Sequence, residues 1–258
     1  MGRLADGAVI QQRVIGALMM RELSTRFGRE NIGFLWMVAE PLLFAVLVGL
    51  IWRFMKGPAE HGLSVIGFVA SGYLPLVMFR QAVNRSVGLF AANASLMVHR
   101  QIRIADFILV RFLIEMIGHM IAALAVGVLL VAFGELPVPA DVGVMLLGWG
   151  AYGLFTLGAA VVLAPLSEMS GVLEKLMPVA TYVMIPFSGT FSMMRWLTPS
   201  AQEVLWWSPP AQAMELIRSG IWGDGVEVNW LALLAPASGL MLLGLALCRH
   251  VRRVMVVE

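Results

Sequence analysis

Only two lysines and one cysteine occur in 258 residues, and just 13% of the chain is charged. Soluble domains carry about 25% charged residues, so these charges are too few to cover the surface of a soluble protein. The scarcity excludes a soluble enzyme, a nucleic-acid binder and a disordered scaffold. Cys248, standing alone, excludes an intrachain disulfide framework and a cysteine-based metal site within one chain. Of the four histidines (His61, His99, His119 and His250), no two have the i, i+4 spacing of a helical zinc pair. Neither Lys56 nor Lys175 stands in a Gly-Lys-Ser/Thr context, so the chain holds no P-loop. Any ATP and Mg must then be bound by another chain, and this one is expected to need no cofactor and to catalyse nothing itself.

What is present is apolar, at 60% of the residues. A bilayer core about 30 Å thick needs roughly 20 predominantly apolar residues per spanning helix. Six stretches qualify, at 33–54, 63–83, 106–133, 141–164, 172–192 and 229–248. They predict an all-α, polytopic membrane protein with six transmembrane helices. Residues 1–32 are too rich in arginine for a signal peptide (Arg13, Arg21, Arg26, Arg29) and form an N-terminal cytoplasmic part. Residues 33–258 form one transmembrane unit with no room for a separate domain.

Orientation follows from the basic residues, which are retained on the cytoplasmic side. With the N-terminus inside, thirteen basic residues lie in cytoplasmic segments, against four outside (Arg53, Lys56, Arg195 and Arg218). Both termini are therefore expected in the cytoplasm.

Three pieces do not span. Residues 8–28 read as an interfacial helix with Met20, Leu23 and Phe27 on one side and Arg21, Glu22 and Thr25 opposite, while Ile10, Val14 and Leu18 make a second stripe. Residues 84–105 form a cytoplasmic loop. Residues 193–228 lie outside, carry Trp196, Trp206, Trp207 and Trp222, and are split by Pro209-Pro210 into two short re-entrant helices before the last span.

Polar residues inside apolar stretches are the candidates for function. Glu40 precedes Pro41 within the first span, where a carboxylate must face a bundle interior or a water-filled cavity. Arg111, Glu115 and His119 stand four apart in the third span, and they read either as a self-neutralising ladder or as a proton relay. Ser71-Gly72 together with His119 raises the remote alternative of an intramembrane serine protease, which requires the Ser and His to meet. Aromatic residues in or near the spans serve as lipid anchors or line a path on which sugar C–H faces stack.

Residues 19–43 read MMRELSTRFGRENIGFLWMVAEPLL. A basic RELxxRF segment running into GFLWxxxEPLL resembles type-2 ABC exporter permeases, and most of all the KpsM-type permeases of capsular polysaccharide export. NASLMVHRQIRIADFILVRF at 93–112 and SPPAQAMELIRSGIWG at 208–223 are similar to two further family segments. Ser208-Pro209 stands where the family often has Asn-Pro, and Arg103-Ile104-Ala105 where it often has basic-Phe-Pro.

The resemblance implies a homodimer in the bacterial inner membrane with two copies of a separate ABC ATPase subunit. It also implies a lipid-linked polysaccharide as cargo and an export partner beyond the outer face. Its path lies at the dimer interface, which carries Trp36, Glu40, Tyr73, Phe187 and Phe191 over as path candidates. The loop with Leu96, Met97, His99, Arg100 and Arg103, and the stretch 168–175, would contact the ATPase. O-antigen, another lipid-linked glycan, a drug or a lipid are the alternative cargoes.

Overall fold

A computed structural model describes residues 2–27, 33–93 and 102–255. Its α-helices are α1 Gly2–Phe27, α2 Gly33–Lys56, α3 Val65–Ser86, α4 Ile104–Ala132, α5 Val142–Met169, α6 Gly171–Val183, α7 Pro199–Trp206, α8 Pro209–Trp222 and α9 Trp230–Met255. A two-stranded hairpin, β1 Ala59–Glu60 and β2 Leu63–Ser64, joins α2 to α3. The chain is an all-α polytopic membrane protein.

Four helices among the described residues combine the length and apolarity needed to cross a bilayer: α3, α4, α5 and the Trp230–Val251 part of α9. The 24 residues of α2 extend about 36 Å at 1.5 Å per residue, long enough to cross as well. The stretch expected as a fifth span, 172–192, is not one helix. α6 ends at Val183 after 13 residues, roughly 20 Å against a core of about 30 Å. A 3-10 turn at Pro186–Ser188 follows, and Gly189 leaves it with a φ of 67°. Pro186 disfavours continuation and the left-handed Gly189 ends it, so apolarity runs on here while the helix does not.

α3 is the central element, with every residue from Val65 to Phe79 buried. One apolar core joins α3 to α4, α5 and α8 through Met78, Val126, Tyr152 and Met214. A second core lies at the other end, where Leu18 of α1 packs with Phe90, Phe107, Ile108, Ala164 and Cys248. The buried face of α1 is thus Val14, Ile15, Leu18, Met19 and Leu23. Met20, expected there, is 65% exposed instead, and the Phe27 side chain lies outside the description. Glu22, expected to face away, is turned into the protein by its ion pairs with Arg26 and Arg111.

The 193–228 segment divides as predicted, with Pro209 opening α8 in its first turn. α8 is buried along Pro210–Arg218 and packs chiefly against α5. Gly220 permits that closeness, since a Cβ there would collide with the Met145 backbone.

Candidate functional site

Three arrangements of polar or aromatic side chains stand out, and the first is a stripe along α2. Trp36, Glu40, Leu43, Leu47, Leu50 and Phe54 are exposed at spacings of three and four residues, so they share one helix face. Glu40 is the lone carboxylate in this apolar row. The path candidates attach to α2 at different heights. Trp36, 57% exposed, sits near its start. Tyr73 of α3 is buried and stacked on Phe44, with ring centroids 4.0 Å apart. Phe191 tilts against Trp52 at 5.4 Å.

Positions 36, 44 and 52 are eight residues apart, or about 12 Å each along the axis. Each step of eight residues also turns the helix by about 80°, so the aromatic groups wind around α2 and do not converge on a pocket. Phe187 is exposed in the 3-10 turn, where its carbonyl accepts the Ser208 hydroxyl at 2.5 Å. Beside Tyr73, the Arg80 guanidinium lies 3.7 Å over the Tyr182 ring, a cation–π contact that sequence reading missed.

The second arrangement is an ionic hub at the end where α1 meets α4. Glu115 is fully buried, with 0% exposure. Its Oε1 accepts Arg26 Nη1 at 2.6 Å and lies 3.2 Å from Arg85 Nε, and its Oε2 is 3.7 Å from His119 Nδ1. Glu22 holds Arg26 at 3.1 Å and Arg111 at 3.3 Å, and Arg111 Nη1 donates to the Arg85 carbonyl at 2.6 Å. The expected Arg111–Glu115–His119 ladder is thus corrected in one half: Glu115 and His119 stay paired within α4, whereas Arg111 pairs with Glu22 and the arginine partners of Glu115 come from α1 and α3. An intrahelical spacing could not reveal ligands from other helices. Nearby, Gln11 donates to Asp106 and Arg21 donates to Asn93 Oδ1 at 2.9 Å, which fastens α1 at further points.

The protease alternative fails on geometry. Ser71 Oγ donates to the Phe68 carbonyl at 2.8 Å, whereas His119 Nδ1 faces the Glu115 carbonyl at 2.9 Å. The two side chains belong to different neighbourhoods.

The third arrangement surrounds Arg218 of α8, which is only 2% exposed. Its guanidinium donates to the carbonyls of Gly189 at 2.6 Å, Thr190 at 2.5 Å and Ser192 at 3.0 Å. It also lies 4.0 Å over the Phe68 ring and 3.4 Å from Ser71 Oγ. Arg218 therefore clamps the chain after the 3-10 turn onto α3 and α8. Burial lowers its pKa from 12.5 to about 10, partly offset by Glu215. Gly72 makes room for the clamp, because a Cβ there would strike the Thr190 carbonyl and the guanidinium.

The coupling candidates Leu96, Met97, His99 and Arg100 lie outside the described residues. Arg103 is described: its N–H donates to Asp106 Oδ2 at 2.8 Å, and its carbonyl accepts the Asp106 N–H at 2.9 Å. It forms the N-terminal boundary of α4, with an exposed side chain. Of the tryptophans expected outside, Trp207 is 62% exposed, whereas Trp206 is half-buried and its carbonyl accepts Gln212 Nε2 at 2.9 Å.

An apolar bundle with a clamped helical hairpin and a carboxylate-bearing helix face fits a membrane transport subunit. The model of the ABC-2 type transporter family matches residues 13–222, and the chain belongs to that family. It is 38% identical over 245 residues to the capsule polysaccharide export inner-membrane protein CtrC of Neisseria meningitidis serogroup B, covering 94% of this chain and 92% of that one. A capsule polysaccharide export inner-membrane protein BexB of Haemophilus influenzae is 37% identical over 217 residues, 84% of this chain and 82% of its own. The polysialic acid transport protein KpsM of Escherichia coli is 24% identical over 248 residues, 95% of each chain.

Proposed function

We propose that this chain is the membrane permease subunit of an ABC exporter that moves lipid-linked capsular polysaccharide outward across the bacterial inner membrane. The observation that carries this is its similarity to CtrC over 94% of the chain and 92% of that protein. Two copies of a separate ATPase subunit bind ATP and Mg and drive transport. The contact with them is the segment whose sequence carries apolar Leu96 and Met97 beside basic His99, Arg100 and Arg103, the residue types of an interface anchor and its rim. Both termini face the cytoplasm, as the thirteen-to-four basic bias implies.

The permease acts as a homodimer, and the α2 stripe supports this. A carboxylate at Glu40 on a face of Trp, Leu and Phe is costly against lipid. Against a second copy, the same face lines a polar path. Trp36, Glu40, Tyr73, Phe187 and Phe191 mark that path, and a further export partner receives the glycan outside.

Affinity purification from its own cell in mild detergent tests the reading. The chain is expected to bring down a P-loop ATPase, and the pair to hydrolyse ATP. Saturable nucleotide binding to the chain alone, or its isolation free of any ATPase, would overturn the reading.

A further inference from the structure

A pocket of about 350 Å³ opens between α7, α8 and the connection at 223–229, away from the α2 stripe. Ligand pockets run from about 300 to 1,000 Å³, so this one suits a sugar unit or two and no longer segment. Its walls are held in place. Ser219 Oγ donates to the Asp224 carbonyl at 2.5 Å, and Arg195 pairs with Asp224 at 2.8 Å. Asn229 N–H donates to Gln212 Oε1 at 3.0 Å, which fixes the end of the connection against α8.

The floor is Glu215, buried to within 7% of full exclusion. One carboxyl oxygen accepts the Met194 N–H at 3.0 Å. Among the described residues, the other oxygen has no hydrogen-bond partner, although it lines a cavity. Glu227 adds a second carboxylate to the lining, and Trp206 an aromatic side chain. The Arg218 guanidinium also borders the cavity, with Nη1 and Nη2 donating to the carbonyls of Gly189, Thr190 and Ser192. Arg195 is committed to Asp224. What the pocket offers is therefore hydrogen-bond acceptance beside an aromatic ring. Carboxylates accept from hydroxyls, and ring faces take sugar C–H groups. The lining carries three carboxylates, Glu215, Asp224 and Glu227, against two guanidiniums, Arg195 and Arg218, so a carboxylate on the ligand would enter a site with an excess of negative charge.

We propose that this pocket binds a neutral, hydroxyl-rich sugar unit of the exported glycan on the face where the chain emerges. The proposal rests on the export reading. Burial raises the pKa of Glu215, opposed by the Met194 N–H and by the Arg218 and Arg195 guanidiniums.

The test uses the full chain with its ATPase in lipid nanodiscs, with methyl glucoside and N-acetylglucosamine as neutral probes and glucuronate as the anionic one. Saturation-transfer NMR is expected to show saturable binding of the neutral probes in the millimolar range, and glucuronate at least tenfold weaker. Glu215→Gln should weaken neutral binding about tenfold, the value of one charged hydrogen bond. Glu227→Gln, at an exposed position, should weaken it without disturbing the fold. Absence of saturable binding, equal binding by wild type and both variants, or preference for glucuronate would overturn the proposal. Surface capsule in a strain lacking the chain separates the two readings. If capsule is lost but no sugar binds, the pocket alone fails; if capsule persists, the export reading fails whatever the pocket does.

Discussion

Arg26 and Glu115 stand 89 positions apart, yet Nη1 of one lies 2.6 Å from Oε1 of the other. The arginine ends α1 and the carboxylate is fully buried in α4, so the N-terminal helix is tied to a transmembrane helix by a charge with no access to water. Breaking such a buried pair by removing one partner costs roughly 3–5 kcal/mol. A double-mutant cycle with Arg26→Ala and Glu115→Ala, read by thermal unfolding in detergent, should give a coupling above about 1 kcal/mol. Additive losses would mean that the two side chains are energetically independent.

Gly72→Ala should unfold the clamp. Its methyl group would collide with the Thr190 carbonyl and the Arg218 guanidinium, whereas Gly127 has open space around a Cβ. We expect Gly72→Ala to lose more than about 2 kcal/mol, as overpacked cores do. Gly127→Ala should match the wild type in thermal midpoint.

Arg218→Lys should fail to replace arginine. A single ammonium cannot reach three carbonyls arranged around a planar fork, and buried acceptors left unsatisfied cost about 1–3 kcal/mol each. The expected result is a lower thermal midpoint and reduced export at equal expression. Full export by the lysine variant would remove the clamp from the account.

Much of this architecture is legible in the residues. Uninterrupted apolar runs placed α3, α4, α5 and α9 within a few residues of their observed bounds, because hydropathy acts over a whole helix. Pro209-Pro210 marked the α7–α8 break for an equally local reason. The 172–192 stretch misled, since apolarity measures fitness for lipid and not helix continuity, and the chain leaves the helix at Val183 for the turn at Pro186–Ser188 and the left-handed Gly189. The hub around Glu115 was half legible. The i, i+4 pattern located the acid and His119, but Arg26 and Arg85 arrive through tertiary packing that no local spacing encodes. For the same reason the Arg218 clamp and the Glu215 pocket were invisible: their partners are backbone carbonyls and a loop fixed only in the folded chain.

Stability should carry a signature of Glu215. Burial raises its folded pKa above the ordinary value of 4.5, so the folded state holds this proton more tightly than the unfolded state. Its effect favours folding at low pH and is lost as pH rises from about 4.5 through the raised value. Glu215→Gln should therefore flatten the decline of the thermal midpoint with pH over that window. Parallel wild-type and variant profiles would contradict the assignment.

Trp36→Ala should reduce surface polysaccharide, while Trp207→Ala should not. Both rings are exposed, but Trp36 shares the α2 stripe with Glu40, whereas Trp207 caps the short α7 helix away from that stripe. Equal effects at equal expression would count against the path along α2.

The most direct measurement is made in a strain deleted for this chain, by quantifying lipid-linked capsular polysaccharide inside the cell and on its surface. An export permease predicts that polymer accumulates inside and disappears from the surface, and that the wild-type chain restores it. Normal surface capsule, or loss of polymer from both compartments, would contradict the account.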